Sequence, residues 1–72
     1  MNIYTERLVR LRRESGKSQS DIALVLETTQ QQISKYENEI QELPVRHLIK
    51  LAEYYGVSLD YIAGLSEEKQ LR

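Results

Sequence analysis

Two short helices separated by only three residues constrain the fold of this chain more than any other feature. The first begins at Ser18, which can form a reciprocal capping box with Asp21, and it lasts about two turns. The second covers residues 30–37 and begins after Thr29, which can form a second capping box with Gln32. Two capped helices with so short a connection cannot be collinear, so the chain must turn sharply between them.

Apolar residues at helical spacing predict three further helices around this pair. One covers residues 4–15 and is expected to expose its arginines, a fourth begins at Pro44, and a short fifth follows Ser58. Each is followed by a glycine suited to a left-handed helix end: Gly16, Gly56 and Gly64. The inward arc of the fourth helix is predicted to hold Val45, Leu48, Leu51, Ala52 and Tyr55.

The fold class predicted by this pattern is all-α with five helices. No stretch alternates apolar and polar residues in the manner of a strand. The 72 residues suffice for one small domain. We place that domain at residues 1–65, followed by a short C-terminal tail over residues 66–72 that is expected to fray.

The composition argues against an enzyme. The chain has no cysteine and a single histidine, which excludes disulfides, cysteine-ligated zinc and thiol catalysis. No nucleophile–base pair or glycine-rich phosphate loop is present, so we expect no cofactor, no metal and no small-molecule substrate. Without an apolar run of about 18 residues or a signal segment, we expect no membrane partner and a cytoplasmic location.

Charge is uneven along the chain. The net charge is −1 overall, but residues 1–17 hold five cations against two anions, whereas residues 18–44 hold one cation against five. A total so close to neutral does not by itself indicate a nucleic-acid partner. Such a function has to rest on a local site.

One arc of the third helix has the chemistry of such a site. At about 100° per residue, Ile33 and Tyr36 share one side and can be buried. The opposite arc carries two carboxamides, a hydroxyl and a cation but no carboxylate: Gln30, Gln31, Ser34 and Lys35. Glutamine can pair with adenine and lysine with guanine in the major groove. The alternative is that these side chains form an ordinary solvated surface.

Several blocks of the sequence resemble the phage repressor and Cro-like helix-turn-helix family. They occur in the family's order and spacing, and the resemblance covers about residues 7–64. The blocks are residues 18–23 (SQSDIA), 28–38 (TTQQQISKYEN), 48–52 (LIKLA) and 56–61 (GVSLDY).

The resemblance implies a lambda-repressor-like domain in which helices 2 and 3 form the helix-turn-helix. It implies a homodimer that binds double-stranded DNA at a palindromic operator, with the third helix in the major groove. Gln30, Gln31, Ser34 and Lys35 match the family's base-reading positions. Gln19 and Asn38 match positions that hold phosphates, and we add the cations Lys17 and Arg46 as phosphate contacts. Arg12 and Glu37 match a partly buried structural ion pair.

Three departures from the family pattern carry expectations of their own. Glu27 stands where the turn often has glycine, so we expect a strained residue at positive φ. Residues 38–43 contain two carboxylates and no cation, which predicts weak and salt-sensitive DNA binding. Leu24 is predicted to be exposed, while Val25 can lean into the core.

Some residues allow two interpretations. Leu59, Tyr61 and Leu65 are candidates for a dimer contact, or they close a small core. His47 and Tyr54 share the outer flank of the fourth helix and form either a partner surface or ordinary surface.

These observations favour a sequence-specific DNA-binding transcriptional regulator, expected to be a repressor that acts as a homodimer. The alternative keeps the fold but makes it a protein-interaction module or an antitoxin, with weak or no DNA binding. A positive rim around the third helix would favour DNA, and an exposed apolar patch at Leu24 would favour a protein partner.

Overall fold

Local helix signals place five α-helices within residues 1–69, as predicted. A computed structural model describes residues 1–69, and within this range the chain is helical with no strand. The helices are α1 Ile3–Glu14, α2 Gln19–Val25, α3 Gln30–Glu37, α4 Val45–Tyr55 and α5 Leu59–Ala63. None of these helices is long and apolar enough to cross a bilayer.

The turn between α2 and α3 forms as the capping residues indicate. The Ser18–Asp21 capping box is complete, with hydrogen bonds in both directions. Thr29 accepts from the backbone of Gln32, but the side chain of Gln32 donates to Gln41 instead of returning to the cap. The prediction of a reciprocal capping box between Thr29 and Gln32 was therefore wrong in one of its two hydrogen bonds: the bond to the Thr29 side chain forms, and the return bond to the Gln32 side chain does not. Glu27 has the expected positive φ, 56°.

The ends of α1 and α4 differ slightly from the prediction. The side chain of Asn2 caps α1, accepting from the backbone N–H of Thr5 at 3.2 Å. Pro44 is the N-cap of α4 rather than its first helical residue. Val45 was expected inside, but it is 68% exposed. It lies one turn before Ile49, which is also exposed, so the two share the outer face of α4.

The core consists of two apolar clusters that meet at Leu8 and Tyr55. One cluster joins α1, α4 and α5, and its buried members are Leu11, Ala52, Val57, Tyr61 and Ile62. The other joins α2, α3 and α4, and its buried members are Ile22, Ala23, Leu26, Ile33 and Leu51. The second cluster fixes the orientation of α3, since Ile33 is 3% exposed.

Arg7 is buried, although α1 was expected to expose its arginines. Its guanidinium lies 4.3 Å from the centre of the Tyr61 ring and donates to the carbonyl of Tyr61. It also donates to the carbonyl of Ser66 at 2.9 Å and to the carboxylate of Glu67 at 3.1 Å. Arg7 thus holds the first residues of the C-terminal tail against the domain.

The expectation that the tail frays was wrong for residues 66–69. Besides the contacts with Arg7, the backbone N–H of Ser58 donates to the carbonyl of Lys69 at 2.7 Å. The physical reason is that a buried guanidinium requires acceptors, and the tail supplies two of them. Residues 70–72 lie outside the described residues.

Replacing Glu27 by glycine is expected to stabilise the domain. Glycine adopts positive φ without the steric cost that a Cβ imposes, and Glu27 is exposed with φ 56°. We expect Glu27→Gly to raise the free energy of unfolding by about 1 kcal/mol in urea denaturation. Ser20→Gly, at an exposed position inside α2, serves as the control and should lower it by about 0.5–1 kcal/mol. A loss of stability in Glu27→Gly would contradict the assignment of strain.

Candidate nucleic-acid interface

The polar arc of α3 faces away from the core. Gln30, Gln31 and Lys35 are exposed and Ser34 is partly exposed, whereas Ile33 on the opposite side is 3% exposed. The four residues predicted to read bases are therefore together on one accessible helix face. We call this surface of Gln30, Gln31, Ser34 and Lys35 the α3 arc.

A partly buried ion pair joins α1 to the end of α3. Arg12 donates from Nε to Oε2 of Glu37 at 2.7 Å and from Nη2 to Oε1 at 2.9 Å, and the side chains are 12% and 16% exposed. The hydrogen bond to Glu37 raises the pKa of Arg12 above its usual value, although burial opposes this. Arg12 also donates to the carbonyl of Lys17 at 3.0 Å, so the pair fixes the chain just before α2 as well.

A relay of side chains connects this ion pair to the α3 arc. Gln19 donates from Nε2 to Oε1 of Glu37 at 3.0 Å, and Gln30 donates from Nε2 to Oε1 of Gln19. Because a carboxylate only accepts, Glu37 determines which way the Gln19 amide is turned. Gln19 in turn orients Gln30, whose carbonyl oxygen and second N–H stay available to a partner.

Asn38 and the loop after α3 are tied to the protein in this state. Asn38 donates to the carbonyl of Ser34 at 2.8 Å and to its hydroxyl at 3.2 Å, so donation to a phosphate requires it to release Ser34. The carboxylate of Glu39, one of the two acids in the loop, accepts from the backbone N–H of Asn2 at 2.7 Å. Glu39 itself has φ 59°.

Exposed cations lie within the α3 arc and on either side of it in sequence. Within residues 1–69, Lys17, Lys35 and Arg46 form no ion pair, and all three are exposed. Arg10, by contrast, is paired with Glu6 at 2.9 Å. Lys17, Lys35 and Arg46 therefore keep their charge available to an anionic partner. Within the same residues, no three side chains of the metal-ligating types come together.

The candidates for a partner surface do not form one group. Tyr61 is 4% exposed and closes the core beneath Arg7, so it offers no surface to a second chain. Leu59 and Leu65 are 42% and 80% exposed. Leu24 is 80% exposed, as predicted, and Val25 packs partly against the core.

His47 and Tyr54 each pack on another aromatic ring. The His47 ring meets the ring of Tyr36 edge-on, with centroids 6.1 Å apart, while Tyr54 packs on Tyr55 at 5.2 Å. The rings of His47 and Tyr54 thus pack on different neighbours, Tyr36 and Tyr55.

Comparison with known proteins identifies the family of this fold. A family model described as helix-turn-helix matches residues 8–62, which includes α2, the turn and α3. The chain belongs to the helix-turn-helix family. This confirms the resemblance drawn from the sequence blocks and gives the α3 arc its context, because α3 is the second helix of the motif.

Three relatives of this helix-turn-helix chain each carry the name uncharacterized HTH-type transcriptional regulator. It is 35% identical over 63 residues to an uncharacterized HTH-type transcriptional regulator of Rickettsia prowazekii, covering 86% of this chain and 48% of the relative. A second, from Rickettsia conorii, is also 35% identical, covering 86% of this chain and 50% of the relative. YobD of Bacillus subtilis is 32% identical over 92% of this chain and 59% of its own length. The chain spans about half the length of these relatives.

Neutralising Glu37 should destabilise the domain through Arg12. In Glu37→Gln, the partly buried guanidinium of Arg12 keeps its charge but loses its counter-ion. We therefore expect the free energy of unfolding to fall by about 1–3 kcal/mol. Arg12→Met and the double variant complete a double-mutant cycle in urea denaturation. The double variant should lose less than the sum of the single losses. Additive losses would show that the two residues act independently.

Proposed function

We propose that this protein is a sequence-specific regulator of transcription that binds double-stranded DNA and reads the major groove with α3. The observation that carries the proposal is the α3 arc itself. It is exposed, free of carboxylates and held by the burial of Ile33 on the opposite side. A helix with such a face fits the major groove, where side chains meet the edges of bases.

The chemistry of the arc suits base recognition. A glutamine can accept from adenine N6 and donate to N7, and Gln30 retains one acceptor and one donor for this after bonding to Gln19. Lys35 can donate to O6 and N7 of guanine. Since Gln19 orients Gln30 before DNA arrives, part of the ordering cost of binding is met in the free protein.

Phosphate contacts would come from residues around the arc. Gln19, Lys17, Arg46 and Asn38 are the proposed set, with Asn38 exchanging its bond to Ser34 for one to a phosphate. Glu42 in the loop forms no ion pair within residues 1–69, so its charge weakens the local field, although Glu39 is engaged by Asn2. We therefore propose modest affinity that falls steeply as salt is added.

The names of the relatives support the regulatory role, because each is called an HTH-type transcriptional regulator. We propose repression, since a domain that occupies an operator blocks access to it without any chemistry. The proposed role is non-enzymatic and would be carried out in the cytoplasm, where bacterial DNA lies.

A homodimer is proposed because exposed apolar side chains cluster where α4 meets α5. Ile49 and Leu59 are each 42% exposed and line a shallow apolar groove with Val57. Leu65 adds a further exposed apolar side chain after α5. A second copy placed here would bury this surface, and two α3 helices about 34–36 Å apart would match successive turns of a palindromic operator.

A second candidate function is a protein-interaction module or antitoxin on the same fold. The observation that favours it is Leu24, which is 80% exposed on α2. The ion pair between Arg10 and Glu6 also reduces the positive charge around α3 that would favour DNA binding. A protein that binds no duplex, but loses a protein partner upon Leu24→Asp, would support this function instead.

Selection of bound sequences from a random duplex library tests the proposal. The expected result is an inverted repeat whose half-sites are one helical turn apart. Recovery of a single half-site would support sequence-specific DNA binding but contradict the proposed homodimer. Failure to enrich any sequence would overturn the proposed function.

Gln30→Ala is expected to weaken binding to the selected duplex by about 1–3 kcal/mol and to relax the base preference at one position per half-site. Binding to an unrelated duplex should change little, because that affinity comes from phosphates. Fluorescence anisotropy with both duplexes measures the difference. An equal loss on both would show that Gln30 does not read a base.

Leu59→Lys is expected to shift the protein from dimer to monomer, because a charge would be placed in the proposed apolar contact. Sedimentation equilibrium measures the shift, and Leu24→Lys on the exposed side of α2 is the control that should leave the dimer intact. Identical behaviour of the two variants would place the dimer contact elsewhere.

A further inference from the structure

A polar cleft opens between the α2–α3 turn, α3 and the first turns of α4. Its walls include Glu27 from the turn, Tyr36 from α3, and Arg46, His47 and Lys50 from α4. Three of these five side chains are basic or can become so, and they come from residues 46–50 at the start of α4. We call this surface the α4 cleft.

The basic side chains of the α4 cleft are not neutralised by neighbours. Neither Arg46 nor Lys50 forms an ion pair with any residue in the range 1–69. The carboxylate among the residues that line the cleft is Glu27, and it makes no ion pair there. An anion entering the cleft would therefore meet a local excess of positive charge.

His47 is held at the wall of the cleft by packing. Its ring meets that of Tyr36 edge-on at 6.1 Å between centroids, and its backbone N–H bonds to the carbonyl of Pro44 at 3.0 Å. The helix places His47 next to Arg46 and three residues before Lys50, so the imidazole and both cations can face one bound group.

We propose that the α4 cleft binds a backbone phosphate of DNA and that His47 takes up a proton when the phosphate enters. This inference rests on the proposed function, since it supplies a phosphate contact beside the reading helix. It adds His47 and Lys50 to Arg46 as residues that hold the backbone. It also makes DNA affinity rise as pH falls.

The sign of the pH effect follows from the charges that face His47. In the free protein, burial is the main cause that lowers the pKa of His47 below 6.5, and the charges of Arg46 and Lys50 add to it. With a pKa below 6.5, the ring is mostly neutral at pH 7 before DNA binds. A phosphate adds negative charge that outweighs this repulsion, so the complex holds the imidazolium. Of the other residues that line the cleft, Glu27 and Tyr36 are titratable, and the negative charge of a glutamate carboxylate acts on the imidazole in the same direction as the phosphate.

The change in the pKa of His47 upon binding sets the size of the pH effect on DNA affinity. If the phosphate raises the pKa of His47 by about one unit, affinity gains at most about tenfold at low pH. Between about pH 8 and pH 6 we expect a gain of about three- to tenfold. Ordinary carboxylates remain ionised over this range and contribute little.

Two measurements on the intact chain test the proposal. His47 is the single histidine of the sequence, so the NMR signal of its ring reports its pKa directly. We would titrate it in the free protein and with a mixed-sequence duplex about two helical turns long. Fluorescence anisotropy on the same duplex, at about pH 6 and pH 8 and constant ionic strength, compares the wild type with His47→Gln and Lys50→Gln.

The expected result is a histidine pKa that rises when the duplex binds, and a wild-type affinity three- to tenfold higher at the lower pH. The affinity of His47→Gln should no longer depend on pH. Lys50→Gln should bind more weakly than the wild type at both pH values, but its affinity should still rise at the lower pH. An unchanged histidine pKa, or equal pH dependence in His47→Gln, would overturn the inference while leaving DNA binding in place. Absence of duplex binding at either pH would overturn both this inference and the proposed function.

Discussion

The ion pair between Arg12 and Glu37 is the interaction on which the candidate site depends most directly. It ties the end of α3 to α1 through two short hydrogen bonds and reaches the chain before α2 through the carbonyl of Lys17. The same carboxylate accepts from Gln19, which accepts from Gln30. A single partly buried charge pair thus positions a helix and, through a relay of amides, sets the orientation of a side chain at the surface.

The apolar core, like the ion pair, fixes the position of α3. Ile33 anchors α3 among residues of α2 and α4, and this burial leaves the α3 arc as the face that meets solvent. The chain carries a net charge of −1, so its total charge does not attract DNA. Binding instead would depend on where unpaired cations lie, and Lys17, Lys35 and Arg46 are unpaired among the residues described.

Features set by neighbouring residues could be predicted from the sequence. The five helices and the cap at Ser18 follow from spacing and residue chemistry alone. The positive φ of Glu27 and the exposure of Leu24 were expected from departures from the family pattern. The Arg12–Glu37 pair came from the family resemblance, because residues 25 positions apart give no local signal. The α3 arc was predicted because Ile33 and Tyr36 mark the buried side at helical spacing.

Features set by distant residues were missed. Arg7 is buried because the carbonyls of Tyr61 and Ser66 come to it from the far end of the chain. Tyr61 belongs to the core, which was one of the two alternatives that the sequence left open, and Arg7 packs over its ring. The side-chain amide of Gln32 donates to Gln41, and its carbonyl oxygen does not close the capping box by accepting from the backbone N–H of Thr29. No local pattern distinguishes these two outcomes. The cleft around His47 likewise depends on how α4 meets the α2–α3 turn.

The central claim is that the α3 arc is the surface that meets DNA. Amide and side-chain NMR spectra recorded during titration with a selected duplex test it most directly. The account predicts the largest shifts at Gln30, Gln31, Ser34 and Lys35, with further shifts at Gln19 and the start of α4, and almost none at the buried junction of α1 and α5. Shifts confined to Leu24, or to the junction of α4 and α5, with the α3 arc unaffected would contradict it.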